Sequence, residues 1–196
     1  TTIDSEVVLS LIARSRKKTL PERVAEAADT IKGAFAILIM NDSQLIAFRD
    51  PYGFRPLCLG RLDHGWVVAS ETCALDLVGA HYVRDVKPGE MIVIDDEEAE
   101  PRSIMYSTCK PAHCAHCIFE YVYFARPDSI IDGESVYQAR LNMGRILARE
   151  TKDIKADVVI SVPDSGTPAA IGYGLEAGIP FVEGLTKNKY IGRTFI

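Results

Sequence analysis

The sequence predicts an α+β layer followed by an α/β segment. Up to about residue 107, two helical patterns precede a series of short apolar runs joined by tight turns, the order of an antiparallel α+β layer. From about residue 116 onward, an amphipathic helix, a β-branched run and an alanine-rich helix follow one another, the order of an α/β fold. The composition changes between Ser107 and His116. The boundary is placed there, giving one domain over residues 1–110 and a second over 111–196.

In the first domain, Asp4 is an N-cap candidate, and Val7, Val8, Leu11 and Ile12 form an apolar stripe. Arg14, Arg16, Lys17 and Lys18 crowd the helix end, as its dipole favours. Pro21 opens a second helix with Val24, Ala27, Ala28 and Ile31 on one side and Gly33 just past its end. The apolar run Ala34 to Met40 is expected to be a strand buried on both faces, with Leu45 to Phe48 as its partner across the turn at Asn41 to Gln44. Leu57 to Gly60, Trp66 to Ala69, Met91 to Ile94 and Arg102 to Tyr106 read as further strands, and a short helix runs through Ala74, Leu75 and Val78. Cys58 and Cys73 fall in or beside these elements and read as buried small apolar residues. Arg49, Asp50 and Arg55, in a turn-rich interruption between strands, read as structural, an Arg–Asp pair being able to lock such a turn. Ser70 and Glu71 read the same way.

In the second domain, a helix is expected from about Glu134 to Glu150 with Val136, Ala139, Met143, Ile146 and Leu147 inward. Asp157 to Val162 has the β-branched character of a strand buried on both faces in a parallel sheet. Pro163-Asp164-Ser165-Gly166-Thr167-Pro168 is a loop with one carboxylate and two hydroxyls, and it feeds the helix of Ala169 to Ala177. Thr167 is the expected N-cap and Pro168 the first helical residue. A further strand is expected at Pro180 to Glu183. A loop at the carboxyl end of a buried strand, leading into a helix N-terminus, is receptive to phosphate and is where ligands bind in open α/β sheets. By itself it is also an ordinary strand-to-helix connection.

The 196 residues are 47% hydrophobic and 25% charged, an ordinary globular composition. The net charge of −5 argues against a nucleic-acid surface. No apolar run approaches the roughly 18 residues that span a bilayer, so no membrane partner is expected. No signal peptide is visible. The five cysteines, three of them clustered, point to a reducing compartment and a cytoplasmic protein rather than a disulfide framework. His113-Cys114-Ala115-His116-Cys117 has metal-ligand spacing; a zinc site, a cluster ligand and free thiols all remain open on spacing alone. The opening on Thr1 and the close on Thr194-Phe195-Ile196 suggest an internal piece of a longer protein.

Several phrases, taken in order, carry a family resemblance. They are Arg49-Asp50-Pro51-Tyr52-Gly53-Phe54-Arg55-Pro56-Leu57, Ala69-Ser70-Glu71 and Val86-Lys87-Pro88-Gly89-Glu90, then Phe119-Glu120-Tyr121-Val122-Tyr123-Phe124-Ala125-Arg126-Pro127-Asp128-Ser129, Val162-Pro163-Asp164-Ser165-Gly166 and Lys187 to Ile196. In this order they resemble the amidophosphoribosyltransferases, and the resemblance runs from Asp4 to Ile196. It implies the C-terminal part of an N-terminal-nucleophile glutaminase (αββα) domain followed by the start of a type I phosphoribosyltransferase domain. The activity it implies is transfer of glutamine-derived ammonia to phosphoribosyl pyrophosphate, the committed step of de novo purine synthesis. The nucleophilic cysteine, the oxyanion-hole Asn-Gly and the paired acidic residues of the phosphoribosyl pyrophosphate signature are not in this stretch. The 196 residues alone are therefore expected to be inactive.

Residue by residue, the resemblance implies that Asp4 binds the glutamine ammonium, and that Ser165 contributes to magnesium binding. It implies that Asp164, Thr167, Lys187 and Arg193 meet phosphoribosyl pyrophosphate or a nucleotide, by hydrogen bond, point charge and guanidinium fork. Cys117 matches a position that, in one branch of the family, ligates an iron–sulfur [4Fe-4S] cluster. Purine nucleotides as inhibitors and a homo-oligomer are further expectations of the same kind. A phosphoribosyltransferase-like salvage enzyme or purine regulator without glutaminase activity is the alternative; it leaves the first half unexplained. An asparagine-synthetase relative shares the Arg-Asp-x-x-Gly-x-x-Pro-Leu phrase but not the Pro163 to Gly166 loop, and a small metal-binding module on Cys114 and Cys117 is the non-enzymatic reading.

Overall fold

The structure, a computed structural model, describes residues 3–96, 100–107 and 114–192. The chain divides into two compact units, Thr1–Cys117 and Ile118–Ile196.

The first unit begins with helices α1 (Asp4–Arg14) and α2 (Leu20–Thr30). Strands β1 (Ala36–Met40), β2 (Gln44–Arg49), β3 (Cys58–Leu62) and β4 (Gly65–Ala69) follow, then helix α3 (Thr72–Leu77) and strands β5 (His81–Asp85), β6 (Glu90–Asp95) and β7 (Arg102–Met105). Two antiparallel sheets result, in the orders β1-β2-β6-β7 and β4-β3-β5. The period of two along β2 and β6 explains the layering. Ile46, Phe48, Met91 and Val93 face the helices and pack with Val8, Ile12, Val24, Ala27 and Ala28. The intervening Ala47 and Ile92 pack with Leu57, Leu59 and Val86 of the other side. Cys58, Leu75 and Ala80 form a smaller cluster with α3. Helices, sheet, sheet and helix therefore stack as layers.

Local chemistry explains the helix starts and corrects one expectation. Thr19 caps α2 through a capping box: its hydroxyl accepts from Glu22 N–H, and the Glu22 carboxylate accepts from Thr19 N–H. The same bond from the Thr19 main chain holds the Glu22 carboxyl below its usual range. Asp4, by contrast, is the first residue of α1, with Ile3 at the N-cap and no side-chain capping bond. Its carboxylate serves the helix dipole together with Glu6.

Two strand expectations also change. β1 is an edge strand, not one buried on both faces: Met40 is 78% exposed. β5 has no counterpart in the periodicity reading. His81-Tyr82-Val83-Arg84-Asp85 pairs with β3 along one edge, where charged and polar residues are tolerated and the apolar pattern is lost.

In the second unit, a π-helical turn (Glu120–Phe124) leads to a small hairpin of β8 (Ile130–Ile131) and β9 (Glu134–Ser135). Its turn residues Asp132 and Gly133 both take positive φ, as a two-residue hairpin requires. Helix α4 (Val136–Glu150) starts two residues later than expected because β9 takes Glu134 and Ser135; the Ser135 hydroxyl then caps it by accepting from Gln138 N–H. Helix α5 (Thr167–Ala177) ends at Gly178 in the left-handed region.

The packing of α4 on α5 runs through glycine. A Cβ on Gly144 would lie 1.9 Å from Ala169 O, and one on Gly172 would lie 2.0 Å from Leu141 O, so the two backbones meet directly. This contact sets the inward face of α4 as Val136, Arg140, Leu141, Gly144 and Ala148. Ile146 and Leu147, expected inward, are about half exposed (52% and 51%).

Residues 157–162 do not form the expected strand buried on both faces. Among the described residues their pairing is one parallel bridge, Val159 to Phe181, with bonds from Val159 N–H to Pro180 O and from Val182 N–H to Val159 O. Val158, Ile160 and Val162 are exposed, and Pro180 to Glu183 contributes that bridge rather than a strand. β-branched composition reports a preference for extended backbone; burial depends on neighbours that composition does not reveal.

Candidate functional site

Residues of the second unit converge on a cavity of about 410 Å³. Its lining includes Pro163, Asp164, Ser165 and Lys187 from the loop side and Tyr123, Phe124, Ala125, Arg126 and Arg140 from the opposite side. The loop occupies the turn between residue 162 and the first turn of α5. Its Pro163–Asp164 peptide bond is cis. Lys187 Nζ donates to Asp164 Oδ2 at 2.8 Å, so the structure joins two of the sequence-derived site residues across 23 positions. Ser165 is half-buried beside them.

Thr167 takes a different place. It is the first residue of α5, with Gly166 at the N-cap and no side-chain capping bond. Its hydroxyl lies 3.1 Å from Ser161 Oγ, a pairing that ties the helix start to the preceding extended segment. The expected capping role is therefore absent because the hydroxyl is engaged with Ser161. Arg193 lies outside the described residues.

Three cations line the cavity against one carboxylate: Arg126, Arg140 and Lys187 against Asp164. Arg126 also holds Asp128 through two bonds of 3.0 and 2.6 Å, which keep the Asp128 carboxyl below its usual range. Arg140 is only 2% exposed and donates to the main-chain carbonyls of Tyr121 and Ala125. The excess of positive charge and the adjacent start of α5, whose dipole favours negative charge, make the cavity suited to an anion. Sequence reasoning missed Arg126 and Arg140. A signal existed for the second: Arg140 stands four residues after Val136 and four before Gly144, on the inward stripe, where a cation needs a reason.

In the first unit, Asp4 is exposed on the first turn of α1. The Arg49 to Leu57 segment is locked, but not by an Arg49–Asp50 pair. The buried Asp50 carboxylate accepts from the N–H groups of Phe35, Tyr52 and Phe54. The Arg49 guanidinium donates to the carbonyls of Arg55, Val86 and Gly53. Each charge fixes main chain separately, which is the structural role expected for this phrase. Glu71 stands at the N-cap of α3 without a capping bond from its side chain.

Cys114 and Cys117 lie along the same segment. Cys114 Sγ donates to Tyr52 O at 3.2 Å and Cys117 N–H donates to Phe54 O. Burial pushes the Cys114 thiol up and the His116 imidazole down. Among the described residues, no group of three or more His, Cys, Asp or Glu side chains is placed to hold a metal ion. His113 and Cys109 lie outside the described residues. Cys58 and Cys73 are buried free thiols, as expected; burial pushes Cys58 up to about 12.

A family model described as a glutamine amidotransferase domain matches residues 1–77. An amidophosphoribosyltransferase of Mycobacterium tuberculosis is 52% identical over all 196 residues, and the match covers 36% of that protein. One of Archaeoglobus fulgidus is 47% identical over 98% of this chain and 42% of its own length. The solved structure of glutamine phosphoribosylpyrophosphate amidotransferase from Bacillus subtilis, complexed with ADP and GMP, superposes on the whole chain with a TM-score of 0.92 at 48% identity. The chain covers 42% of that structure.

Over its whole length the chain is similar to the amidophosphoribosyltransferases.

It spans about two fifths of the length of these relatives. The amidophosphoribosyltransferase fold is accordingly the α+β end of a glutaminase domain followed by the start of a phosphoribosyltransferase domain. The residues matched by the glutamine amidotransferase model take in helices α1 and α2, strands β1 to β4 and helix α3. Among the described residues, no helix is long and apolar enough to cross a membrane.

Proposed function

We propose that this chain is part of an enzyme that moves the amide nitrogen of glutamine onto phosphoribosyl pyrophosphate, in the committed step of purine nucleotide synthesis. The observation that carries the reading is the cavity where Asp164, Ser165 and Lys187 meet Arg126 and Arg140 beside the start of α5. It stands in a chain whose relatives bear that name over all 196 residues.

Two bond exchanges make up the reaction. A cysteine thiolate of the glutaminase domain attacks the glutamine side-chain carbonyl, ammonia leaves, and water releases glutamate. The ammonia lone pair then attacks C1 of the sugar while the C1–oxygen bond breaks. Pyrophosphate carries away the electron pair, and the nitrogen loses a proton to give 5-phosphoribosylamine. On this reading Asp4 holds the glutamine ammonium by charge. Lys187 releases Asp164 and takes up phosphate as a point charge, while Arg193 supplies a guanidinium fork. Thr167 holds the first turn of α5 against Ser161, so that its N–H groups keep their aim.

Magnesium suits the chemistry of the Ser165 hydroxyl, a hard oxygen on a cavity whose lining also includes the Asp164 carboxylate. When bound it would neutralise charge on the pyrophosphate. An iron–sulfur cluster does not fit the described residues by themselves. It needs several thiolates, and Cys114 is engaged with Tyr52. Cys117 is assigned as one ligand only if the remaining ligands come from elsewhere; iron and sulfide analysis of anaerobically prepared protein decides this. Free cysteines suit a reducing, cytoplasmic setting. ADP and GMP accompany the Bacillus relative, so purine nucleotides are the proposed inhibitors, acting on a homo-oligomer.

The test is pyrophosphate release by the full-length protein with phosphoribosyl pyrophosphate, magnesium and either glutamine or ammonia. Release supported by both nitrogen sources is expected. Absence of release with either one removes the proposal.

A further inference from the structure

We infer that Arg140 is a positioning residue for the anion cavity, acting through the π-helical turn Glu120–Phe124. The inference rests on the reading of that cavity as a phosphoribosyl pyrophosphate site. A guanidinium is costly to bury, because it loses its water and keeps its charge. Arg140 is nonetheless 2% exposed on the inward stripe of α4. Among its partners there are two main-chain carbonyls: Nε donates to Tyr121 O and Nη2 to Ala125 O at 2.8 Å. These carbonyls lie at the beginning and just past the end of the π-helical turn.

A π-helical turn is a rare conformation that needs support from outside its own hydrogen bonds. Here the turn bonds Ala125 N–H back to Glu120 O, and Arg140 donates to the Tyr121 and Ala125 carbonyls of the same stretch. The consequence falls on the cavity. Tyr123, Phe124, Ala125 and Arg126 form the side facing Asp164, Ser165 and Lys187. Tyr123 and Phe124 are about half exposed, and the Phe124 ring packs on those of Phe119 and Tyr123 within this same stretch. Arg140 thus sets the distance between the two sides, and with it the site's fit to its anion. Lysine at this position could reach one carbonyl but not both, since its ammonium lacks the planar fork.

The test compares Arg140→Lys and Arg140→Met with the wild type in the full-length protein. Three quantities are read: the KM for phosphoribosyl pyrophosphate, the kcat and KM of glutamine hydrolysis, and amide hydrogen exchange over residues 119–127. Arg140→Met is expected to raise the phosphoribosyl pyrophosphate KM about tenfold or more, as a displacement of part of a binding site does. Glutamine hydrolysis should stay within about twofold, and exchange should rise in residues 119–127 and not in the first unit. Arg140→Lys should fall between, by partial rescue. If Arg140→Met does not fold, Arg140→Lys carries the same split at smaller size. An unchanged KM in a folded variant, or equal loss in both half-reactions, overturns the inference and leaves the cavity reading standing. A wild-type protein that releases no pyrophosphate overturns both.

Discussion

The two units of this chain hold themselves together in contrasting ways. In the first, two antiparallel sheets share apolar residues on alternating positions, and Phe48, Ile46, Leu57, Met91, Ile92 and Val93 are fully or almost fully buried. Its charged groups are anchors: Asp50, Arg49 and Glu90 all sit inside and fasten main chain or one another. In the second, two helices meet backbone to backbone at glycines, and the extended segment 157–162 is held, among the described residues, by one parallel bridge and the Ser161–Thr167 hydroxyl pair. Its site residues stand on a loop and on a segment tied by an exposed ion pair. Burial of apolar area over two sheets dominates stability in one unit; close approach and a few directed bonds do so in the other. The anion cavity lies in the second unit.

The contrast can be broken most strongly at the glycine contact. Gly144→Val is expected to cost about 3 kcal/mol or more, because its side chain would meet the Ala169 carbonyl rather than a movable side chain. Far-UV circular dichroism should show early loss of helix. Emission from Trp66, the one tryptophan of the chain, should keep its own transition, since it lies in β4 of the first unit. A parallel shift of both signals would mean that the units do not differ in the way described.

Arg84→Met probes the anchor logic of the first unit and should cost about 3 kcal/mol by Trp66-monitored urea unfolding. Glu90 is 1% exposed and accepts from both ends of the Arg84 guanidinium, from Lys87 N–H and from Ser103. Burial raises its carboxyl, but these bonds outweigh burial and hold it below the usual range. Its folded value is thus depressed, so its contribution is full above the unfolded value and is lost as pH falls through the folded value. In Arg84→Met burial gains the upper hand, and the loss of stability between about pH 5 and pH 3 should shrink or reverse. Urea unfolding across that range gives the answer.

Smaller effects sharpen the contrast. Thr19→Ala removes one arm of the α2 capping box and should cost about 1 kcal/mol in a thermal melt. Lys187→Met removes an ion pair whose side chains are 49% and 72% exposed, and it should change stability by about 0.5 kcal/mol or less. In the full-length protein the same change should raise the phosphoribosyl pyrophosphate KM about tenfold, which separates stability from binding in the second unit.

Legibility in the sequence followed the same division. Helices α1 and α2, the β1–β2 and β3–β4 hairpins and β6 were readable because apolar period and turn residues agree there. β5 was not, since an edge strand needs no apolar alternation. The face of α4 was misassigned because Gly144 and Gly172 bring the backbones together, and glycine carries no weight in an apolar pattern. Asp164, Ser165 and Lys187 were assigned to a site through ordered phrases of sequence, and the structure places all three on one cavity. Their meeting across 23 positions could not be read from those phrases. Arg140 went unnoticed because its bonds to Tyr121 and Ala125 go to carbonyl oxygens, which every residue possesses and no sequence pattern marks.

The buried thiol of Cys58 has a practical consequence for reagents. With its acidity pushed to about 12, on the order of one molecule in 10⁵ carries the thiolate there at neutral pH. Maleimides, iodoacetamides and mild oxidants, which all require that thiolate, should therefore pass it by. Cys114 is exposed and Cys117 partly so, and both lie on the segment running beside Tyr52 and Phe54. A fluorophore or spin label offered in modest excess should therefore favour Cys114 and Cys117 over Cys58.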